Sequence, residues 1–385
     1  MHEFTLHIPT KFVFGNGVFQ RAGKEVRKVA EKVLIVCSSG SVVKYGYLDT
    51  LLNLLAEAGV RADVYDKVTP NPRVSMVDAG GRLAANLNVD AVIGLGGGSA
   101  MDAAKGVAVV AFHGGSIWDY IPANRTVHDS LPVICIPTLS ATGSEGNAFG
   151  VVTNDATLDK AGFVCRGTRP LVSIIDPELT SSVPADYLLD GAVDIITHAT
   201  EAYFSSRDAG ILNDKLSLDI TATVVESLAQ LLKDPKDADA RAAFAWASTL
   251  ALVGIVEAGR EGPHTIHVIE HALSGMFDIS HGRGLALLFP KYLVYFKDIL
   301  RDKLLPFGRI FDPAVSTAEE AIAAFTAWLK SIGRDLTFSD FNMPADAIPA
   351  LADSVLRAAG NKHGQIGAPV AMSKEEIESL YRMCL

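Results

Sequence analysis

Short apolar runs alternate with helical patterns through the first half of this chain, and this rhythm constrains the fold more than any other feature. The strand-like runs are residues 33–37, 62–68, 91–95, 132–137 and 171–176. Helical patterns cover about 43–58 and 71–87 between the first three runs. Such an order predicts an α/β domain with a parallel sheet, helices on both of its faces and a ligand at the carboxyl ends of its strands.

The rhythm changes after Pro184, where apolar residues recur at helical spacing and β-branched runs become rare. Long helices are predicted at about 187–205, 210–232, 239–258, 263–275, 316–331 and 374–383. A chain of 385 residues is long enough for two separate cores. We therefore predict an α/β domain at 1–184 and an all-helical domain at 185–385.

The amino-terminal residues carry a further strand signal. Lys11–Phe14 is followed by Gly15-Asn16-Gly17, which is a pattern typical of a strand and a turn. It predicts either a β-hairpin or an edge strand that pairs with a second subunit.

Composition and charge exclude several classes of function. A net charge of −10 argues against nucleic acid as a partner, because binding nucleic acid would need a basic face. No apolar stretch reaches the roughly 18 residues that a membrane-spanning helix needs, and the first residues lack the pattern of a secretory signal. The 4 cysteines are widely spaced, which fits a reducing compartment. We expect a cytoplasmic protein that binds neither nucleic acid nor membrane.

A glycine-rich turn follows the predicted strand at 91–95. It reads Gly96-Gly97-Gly98-Ser99 and leads into a helical pattern. Glycines let the backbone approach a pyrophosphate closely, and the following helix directs free N–H groups and its positive dipole end at the phosphates. This is not the GxGxxG fingerprint, and taken alone it also fits an ordinary tight turn.

A hydroxyl-rich turn follows the predicted strand at 132–137. Its residues Thr138, Thr142 and Ser144 offer hydroxyl groups to a ribose, a phosphate or a nicotinamide amide. The same pattern also fits a capping box at the start of a helix. Two polar turns at the carboxyl ends of two strands together favour a dinucleotide site.

Histidines and one aspartate form a metal-ligand pattern in the second half. Asp194 and His198 are four residues apart, as are His267 and His271, and His281 follows. Each pair lies on one face of a helix. Imidazoles with one carboxylate suit zinc or iron better than calcium or magnesium. A lone histidine is more often an ordinary core residue, but two pairs and a further histidine favour a metal site. Spacing alone leaves open which four residues bind.

A rival interpretation concerns the same residues. His267-Val-Ile-Glu270-His271 matches the HxxEH pattern of inverted zinc peptidases, in which both histidines bind zinc and the glutamate activates water. That interpretation explains neither the glycine-rich turn nor the pair Asp194 and His198.

Taken together, these motifs resemble the iron-containing (group III) alcohol dehydrogenase family, and the resemblance covers essentially the full length. The family pattern places Asp102 and Lys105 after the glycine-rich turn, and Thr-x-x-x-Thr-Gly-Ser-Glu matches residues 138–145. Asp-x-x-x-His-x-x-Glu matches 194–201, and the three histidines at 267, 271 and 281 complete the pattern. The chain most resembles the butanol dehydrogenase and NADPH-dependent aldehyde reductase branch.

The resemblance implies a Rossmann-like dinucleotide-binding domain and a helical metal-binding and substrate domain, in a dehydroquinate synthase-like fold with cofactor and metal in the cleft. By carry-over, the metal ligands are Asp194, His198, His267 and His281. The cofactor-binding residues are Gly97, Gly98, Ser99, Asp102, Thr138, Thr142, Ser144, Lys160 and Leu179. Asp102 is placed near the nicotinamide as a catalytic candidate, and His271 is the candidate proton-handling residue.

Two departures from the family pattern concern polar turns. Ala141 stands where the family often has glycine, and Ser38, Ser39 and Ser41 stand where close relatives have glycines. An acidic residue after the first strand would bind the ribose hydroxyls and repel a 2′-phosphate. Because this stretch has three hydroxyls and the nearby Lys44 instead, the sequence favours NADP over NAD.

The resulting expectation is an NADP-linked, metal-dependent alcohol dehydrogenase or aldehyde reductase for small aliphatic substrates such as butanol and butanal. The expected metal is Fe²⁺, with Zn²⁺ and Ni²⁺ as alternatives, and a homodimer is expected from the family. An NAD-linked lactaldehyde or polyol enzyme remains an alternative, which pocket residues such as Asn147, Phe149 and Phe277 would distinguish. The intact ligand set argues against a binding protein without activity.

Overall fold

The computed structural model describes residues 2–121, 127–206, 210–260, 264–367 and 369–385. Their contacts form two compact units. The α/β unit comprises His7–Leu188 and Ser227–Val253, and the helical unit comprises Leu189–Glu226, Gly254–Leu385 and the residues up to Leu6. The segment Ser227–Val253 thus groups with the α/β unit, whereas the sequence pattern assigns it to the helical domain. The division at residue 184 stays a prediction.

The centre of the α/β unit is a parallel sheet. The eight strands of the described chain are β1 (Lys11–Phe14), β2 (Lys32–Val36), β3 (Arg61–Tyr65), β4 (Ala91–Gly96), β5 (Val133–Pro137), β6 (Phe149–Thr153), β7 (Lys160–Val164) and β8 (Val172–Ile175). Six of them pair in the order β1-β8-β5-β4-β2-β3, and every pairing is parallel. β6 and β7 form a separate antiparallel hairpin. The predicted parallel sheet is confirmed.

The amino-terminal strand β1 lies at the edge of this sheet. It pairs in parallel with β8, from Lys11 opposite Val172 to Phe14 opposite Ile175. The hairpin alternative is wrong, because the turn at Gly15–Gly17 leads into a short 3-10 helix (Val18–Arg21) and not into a returning strand. The edge strand is present as predicted, and its pairing with a second subunit stays a prediction.

Helices cover the sheet on both faces. They are α1 (Ala22–Arg27), α2 (Ser41–Lys44), α3 (Tyr47–Glu57), α4 (Val74–Leu87) and α5 (Gly98–His113). Successive strand residues enter different cores: Val33 and Ile35 pack in one buried cluster, Leu34 and Val36 in another, as the pleat requires. The helix predicted at 43–58 is interrupted by Gly46, whose φ of 73° is left-handed.

The remaining helices are α6 (Ala185–Ser205), α7 (Ile211–Lys233), α8 (Ala238–Ala251), α9 (Thr265–Phe277), α10 (His281–Tyr295), α11 (Lys297–Phe311), α12 (Ala318–Ser331), α13 (Ile348–Ala359) and α14 (Lys374–Arg382). The helix predicted at 239–258 ends early, at Ala251, and Gly254 beyond it has a left-handed φ of 102°. Residue 263, where another predicted helix begins, lies outside the described residues.

The helical unit is held by an aromatic core. Phe204, Phe289, Phe307 and Phe325 are all buried and meet mainly edge to face, with ring centroids 5.2–6.0 Å apart. This packing is the favoured geometry for aromatic pairs. Across the described ranges, we find no helix whose length and apolar character would let it cross a membrane.

Candidate active site

One face of α6 carries the first group of candidate ligands. Asp194, His198 and Glu201 follow one another at spacings of four and three residues, so they stack along the same side of the helix. All three are buried, with 2%, 7% and 1% of their surfaces exposed. Buried carboxylates and imidazoles need partners, and these partners come from α9 and α10.

The four predicted metal ligands converge on one carboxylate oxygen. Oδ1 of Asp194 lies 3.1 Å from Nε2 of His198, 3.7 Å from Nε2 of His267 and 3.8 Å from Nε2 of His281. His281 is the first residue of α10, and His267 lies in the first turn of α9. Three elements therefore each direct an imidazole nitrogen at the same point.

This donor set fits a divalent transition metal. Neither Oδ1 of Asp194 nor Nε2 of His267 makes a well-directed hydrogen bond to any described residue, although both atoms are buried. A buried polar atom without a partner is costly, and a cation held between these atoms would remove the cost. Three imidazoles and one carboxylate are the ligands that zinc and iron accept.

Two glutamates orient His267 and His281 by contacting the Nδ1 atom of each ring. Oε2 of Glu201 contacts Nδ1 of His267, and Oε2 of Glu270 contacts Nδ1 of His281. A carboxylate that holds Nδ1–H fixes the imidazole tautomer and turns the Nε2 lone pair toward the metal position. The sequence analysis names Glu201 as part of the family pattern but does not predict that it orients a ligand. Its position three residues after His198, on the same face of the helix, could have indicated this role.

The same contacts weaken the peptidase interpretation. That interpretation requires Glu270 to activate a water beside His267 and His271. Instead, Glu270 is 0% exposed, and its carboxylate contacts His281 and accepts a hydrogen bond of 3.2 Å from Ser274 Oγ. The glutamate therefore supports a ligand.

His271 lies beside the ligand set. Its ring centroid is 5.4 Å from that of His281, and the two rings form a close group with the Glu270 carboxylate. His271 is half-buried, whereas His267 is 4% exposed. A half-buried imidazole next to the ligands is placed to exchange protons with solvent, and its role as the proton-handling residue stays a prediction.

Burial and neighbouring charges shift the imidazole pKa values in opposite directions. Burial and the neighbouring His267 lower the pKa of His198 to about 4, so its ring is neutral at pH 7 and its lone pair is available. Burial alone would lower the pKa of His267, but the carboxylates of Glu201 and Asp194 outweigh it and raise the value to about 9. His267 without metal therefore carries a proton at pH 7.

Metal affinity is accordingly expected to rise with pH. A metal must displace the Nε2 proton of His267, so between about pH 7 and pH 9 binding should strengthen about tenfold per pH unit, and it should level off above the pKa of about 9. Competition between the metal-free protein and a chromophoric chelator for Zn²⁺, repeated across this range, measures the slope. An affinity that does not change between pH 7 and pH 9 would contradict the expectation.

The glycine-rich turn joins β4 to α5 in the α/β unit. Gly96 has a left-handed φ of 146°, and Gly97 caps α5. A Cβ on Gly98 would lie 2.5 Å from the Thr142 side chain, so the hydroxyl-rich turn sits directly against the glycines. The two predicted polar turns thus form one surface at the amino end of α5, where a pyrophosphate is favourably bound.

A buried network supports the hydroxyl-rich turn. Nζ of Lys105, which is 0% exposed, donates to Oγ of Ser144 (2.7 Å), Oδ1 of Asn147 (3.0 Å) and the carbonyl oxygen of Phe149 (2.6 Å). Ser144 in turn donates to Oδ1 of Asp102 at 2.6 Å. Burial lowers the pKa of Lys105 and raises that of Asp102.

The remaining cofactor candidates have different environments. Lys160 is 6% exposed and donates to Oδ1 of Asn71 at 2.9 Å. Leu179 is 5% exposed and packs within a core cluster, so its contact with adenine or ribose stays a prediction. Ser38 is half-buried, while Ser39 and Ser41 are exposed at the carboxyl end of β2. Other predicted contacts with the cofactor also stay predictions, as for Ser99 and Thr138.

Comparisons with known proteins agree with these features. The family described as iron-containing alcohol dehydrogenase matches residues 9–177, and the carboxyl-terminal part of the Fe-containing alcohol dehydrogenase family matches 188–385. Probable NADH-dependent butanol dehydrogenase 2 of Bacillus subtilis is 32% identical over 392 residues, which is 100% of both chains. The NADPH-dependent aldehyde reductase YqhD of Escherichia coli is 30% identical, over 91% of this chain and 92% of its own.

A solved structure shows the same architecture. The crystal structure of NADH-dependent butanol dehydrogenase A from Thermotoga maritima superposes with a TM-score of 0.95 at 33% identity and covers 100% of this chain and 99% of that one. The α/β fold with a mostly helical carboxyl-terminal part is thereby confirmed, as is the resemblance in sequence. The chain belongs to the iron-containing alcohol dehydrogenase family.

Proposed function

We propose that this chain is a metal-dependent alcohol dehydrogenase and aldehyde reductase that transfers a hydride between NADP(H) and a small aliphatic alcohol or aldehyde, such as butanol or butanal. Its family membership makes it an oxidoreductase of alcohols and aldehydes, coupled to NAD(P) and a divalent metal. The observation that carries the proposal is the convergence of three Nε2 atoms on Oδ1 of Asp194. Fe²⁺ is the metal we propose, because this ligand set accepts it and the family is named for it.

The protein's own groups would prepare the reaction. When bound, a divalent metal would act as a Lewis acid toward the substrate oxygen, and the nicotinamide would carry the hydride. Asp194 contributes the one negative charge among the four proposed ligands. Glu201 and Glu270 hold the rings of His267 and His281 in place. His271, half-buried beside them, would pass a proton between the site and solvent at its ring nitrogen.

The choice of NADP rests on the turn after β2. Ser39 and Ser41 are exposed there, and Lys67 lies next to Ser38 through a β-bridge. Asp66, the nearby carboxylate, is paired with Lys67 at 2.7 Å. Hydroxyl groups and the exposed Lys44 at the end of α2 favour a 2′-phosphate, whereas a free carboxylate would repel it.

Coenzyme preference gives a direct test. With metal-reconstituted protein and butanal, we expect NADPH to be oxidised faster than NADH at equal, subsaturating concentrations, as followed at 340 nm. Ser39→Asp places a carboxylate at the turn and should lower kcat/KM for NADPH about tenfold or more through like-charge repulsion, with a smaller effect on NADH.

Ser331→Asp, at an exposed serine of α12, is the matched control and should change neither value. Faster turnover of NADH by the unaltered protein would overturn the assignment of NADP and leave the aldehyde reductase assignment in place. If neither NADPH nor NADH is oxidised with butanal or lactaldehyde, and neither NADP⁺ nor NAD⁺ is reduced with butanol or a polyol, the proposed function itself is wrong.

A further inference from the structure

Asp190 is a buried carboxylate that the proposed chemistry does not use. It lies one helical turn before Asp194 on the same face of α6 and is 5% exposed. It is not among the proposed metal ligands, and the sequence pattern does not single it out. Since a buried charge is costly unless it is paired, its partners indicate what it does.

These partners come from two other segments of the helical unit. Oδ2 of Asp190 accepts a hydrogen bond of 2.7 Å from Oγ of Ser280, and Nε of Arg283 lies 3.2 Å from the same oxygen. Oδ1 accepts a hydrogen bond of 2.7 Å from Nε of Arg334, which follows α12. Ser280 and Arg283 flank the proposed ligand His281 at the start of α10. One carboxylate therefore ties α6, the first turn of α10 and the end of α12 together.

The start of α10 is adapted to this contact in two ways. Ser280 is the N-cap residue of α10, a position where the serine hydroxyl usually accepts a hydrogen bond from a backbone N–H of the helix. Here the side chain makes no such capping bond, and its hydroxyl donates a hydrogen bond to Asp190 instead. Gly282 has no room for a side chain, because a Cβ there would lie 2.1 Å from the carbonyl oxygen of Asp190. The first turn of α10 thus packs directly on the backbone of α6.

We infer that Asp190 is a positioning residue for the metal centre, an inference that rests on the metal site of the proposed function. By holding Ser280 and Arg283, it sets the first turn of α10, and with it the ring of His281, relative to Asp194 on α6. Metal sites tolerate ligand displacements of only about 0.5 Å. Without this anchor, His281 would keep its contact with Glu270 but lose its fixed distance from Asp194.

Zn²⁺ affinity of the metal-free, full-length protein tests the inference. Asp190→Ala should weaken binding about 10- to 100-fold, as loss of a residue that orients a ligand typically does. Ser280→Ala removes only one of the partners of Asp190, so it should lower the Zn²⁺ affinity by a smaller factor. Ser280→Thr keeps the hydroxyl and should retain the affinity of the unaltered protein. Loading the protein with Co²⁺ in place of Zn²⁺ adds a second measurement. The visible absorption band of the bound Co²⁺ should differ between Asp190→Ala and the unaltered protein if His281 is displaced.

Glu25→Ala provides the matched control. Glu25 is also a buried carboxylate, 3% exposed and paired with Lys11 at 2.6 Å, but it lies in the α/β unit. The Glu25→Ala substitution should lower the midpoint of urea denaturation without changing the Zn²⁺ affinity. If Asp190→Ala and Ser280→Ala lower only the midpoint and leave Zn²⁺ affinity and the Co²⁺ band unchanged, Asp190 is merely structural and the inference fails. If the unaltered protein binds no metal, the proposed function fails with it.

Discussion

Replacing His267 with alanine is expected to lower the reduction of butanal by about 10³-fold or more. The substitution removes one of three nitrogens that converge on Asp194, and it leaves His264 as the remaining imidazole partner of the Glu201 carboxylate. Polarisation of a carbonyl oxygen by a metal stabilises a transition state by several kcal/mol, and about 1.4 kcal/mol corresponds to a factor of ten in rate. The measurement is kcat/KM at 340 nm, together with the metal content of the purified variant.

His363→Ala is the control for this experiment. His363 is exposed in a loop of the helical unit, so its loss should leave both rate and metal content unchanged. Binding of NADPH to His267→Ala, followed by its fluorescence, should stay within a few-fold of the unaltered protein, because the proposed cofactor residues lie elsewhere in the chain. A His267→Ala protein that keeps its metal and reduces butanal within tenfold of the original rate would contradict the proposed ligand set.

Replacing Lys105 with methionine is expected to lower the free energy of unfolding by about 3–5 kcal/mol, the usual cost of removing one partner from a buried charged network. The ammonium donates to Ser144, Asn147 and Phe149 at 2.6–3.0 Å and is fully buried. Methionine has a similar length but no donors, so three acceptors would each lose a hydrogen bond and Asp102 would lose the favourable charge of Lys105. Urea denaturation measures the loss.

Lys24→Met is the comparison for this change, because Lys24 is exposed on α1 and surface substitutions usually change stability by about 0.5 kcal/mol or less. Combining Lys105→Met with Asp102→Asn should recover part of the loss, since the second change removes a carboxylate that has lost the neighbouring ammonium of Lys105. A loss below about 1 kcal/mol for Lys105→Met would show that the network does not hold the hydroxyl-rich turn.

Much of the fold could be predicted from the sequence because its signals are local. β1 coincides with the strand signal at Lys11–Phe14, every other strand of the central sheet coincides within a few residues with an apolar run, and the residues at 187–205 do form a helix. Four helices of the described chain, α1, α10, α11 and α13, were not predicted. Pro290 and Pro306 lie inside α10 and α11, and proline normally argues against a helix interior. Tertiary packing overrides this preference here.

The hairpin of β6 and β7 was also not predicted, and it contacts one of the proposed cofactor-binding residues and contains another. The backbone N–H of Val151 in β6 donates to Oδ2 of Asp102 at 3.0 Å, and β7 carries Lys160 at its first residue. Polar residues and a glycine in each strand weaken the local strand signal. The position of this hairpin depends on its packing against α5, and a local sequence pattern does not predict such a contact between distant segments.

The candidate binding groups and their spacing can be read from the sequence: a glycine-rich turn before a helix, Asp194 and His198 one turn apart, and three further histidines. Which of their atoms meet depends on the packing of the folded chain. Glu201 reaches His267 across 66 residues, and Asp190 reaches Ser280 across 90. Periodicity describes neighbours within a turn or two of a helix, whereas such partners are brought together by the packing of whole helices. The orientation of each imidazole is therefore a property of the folded chain.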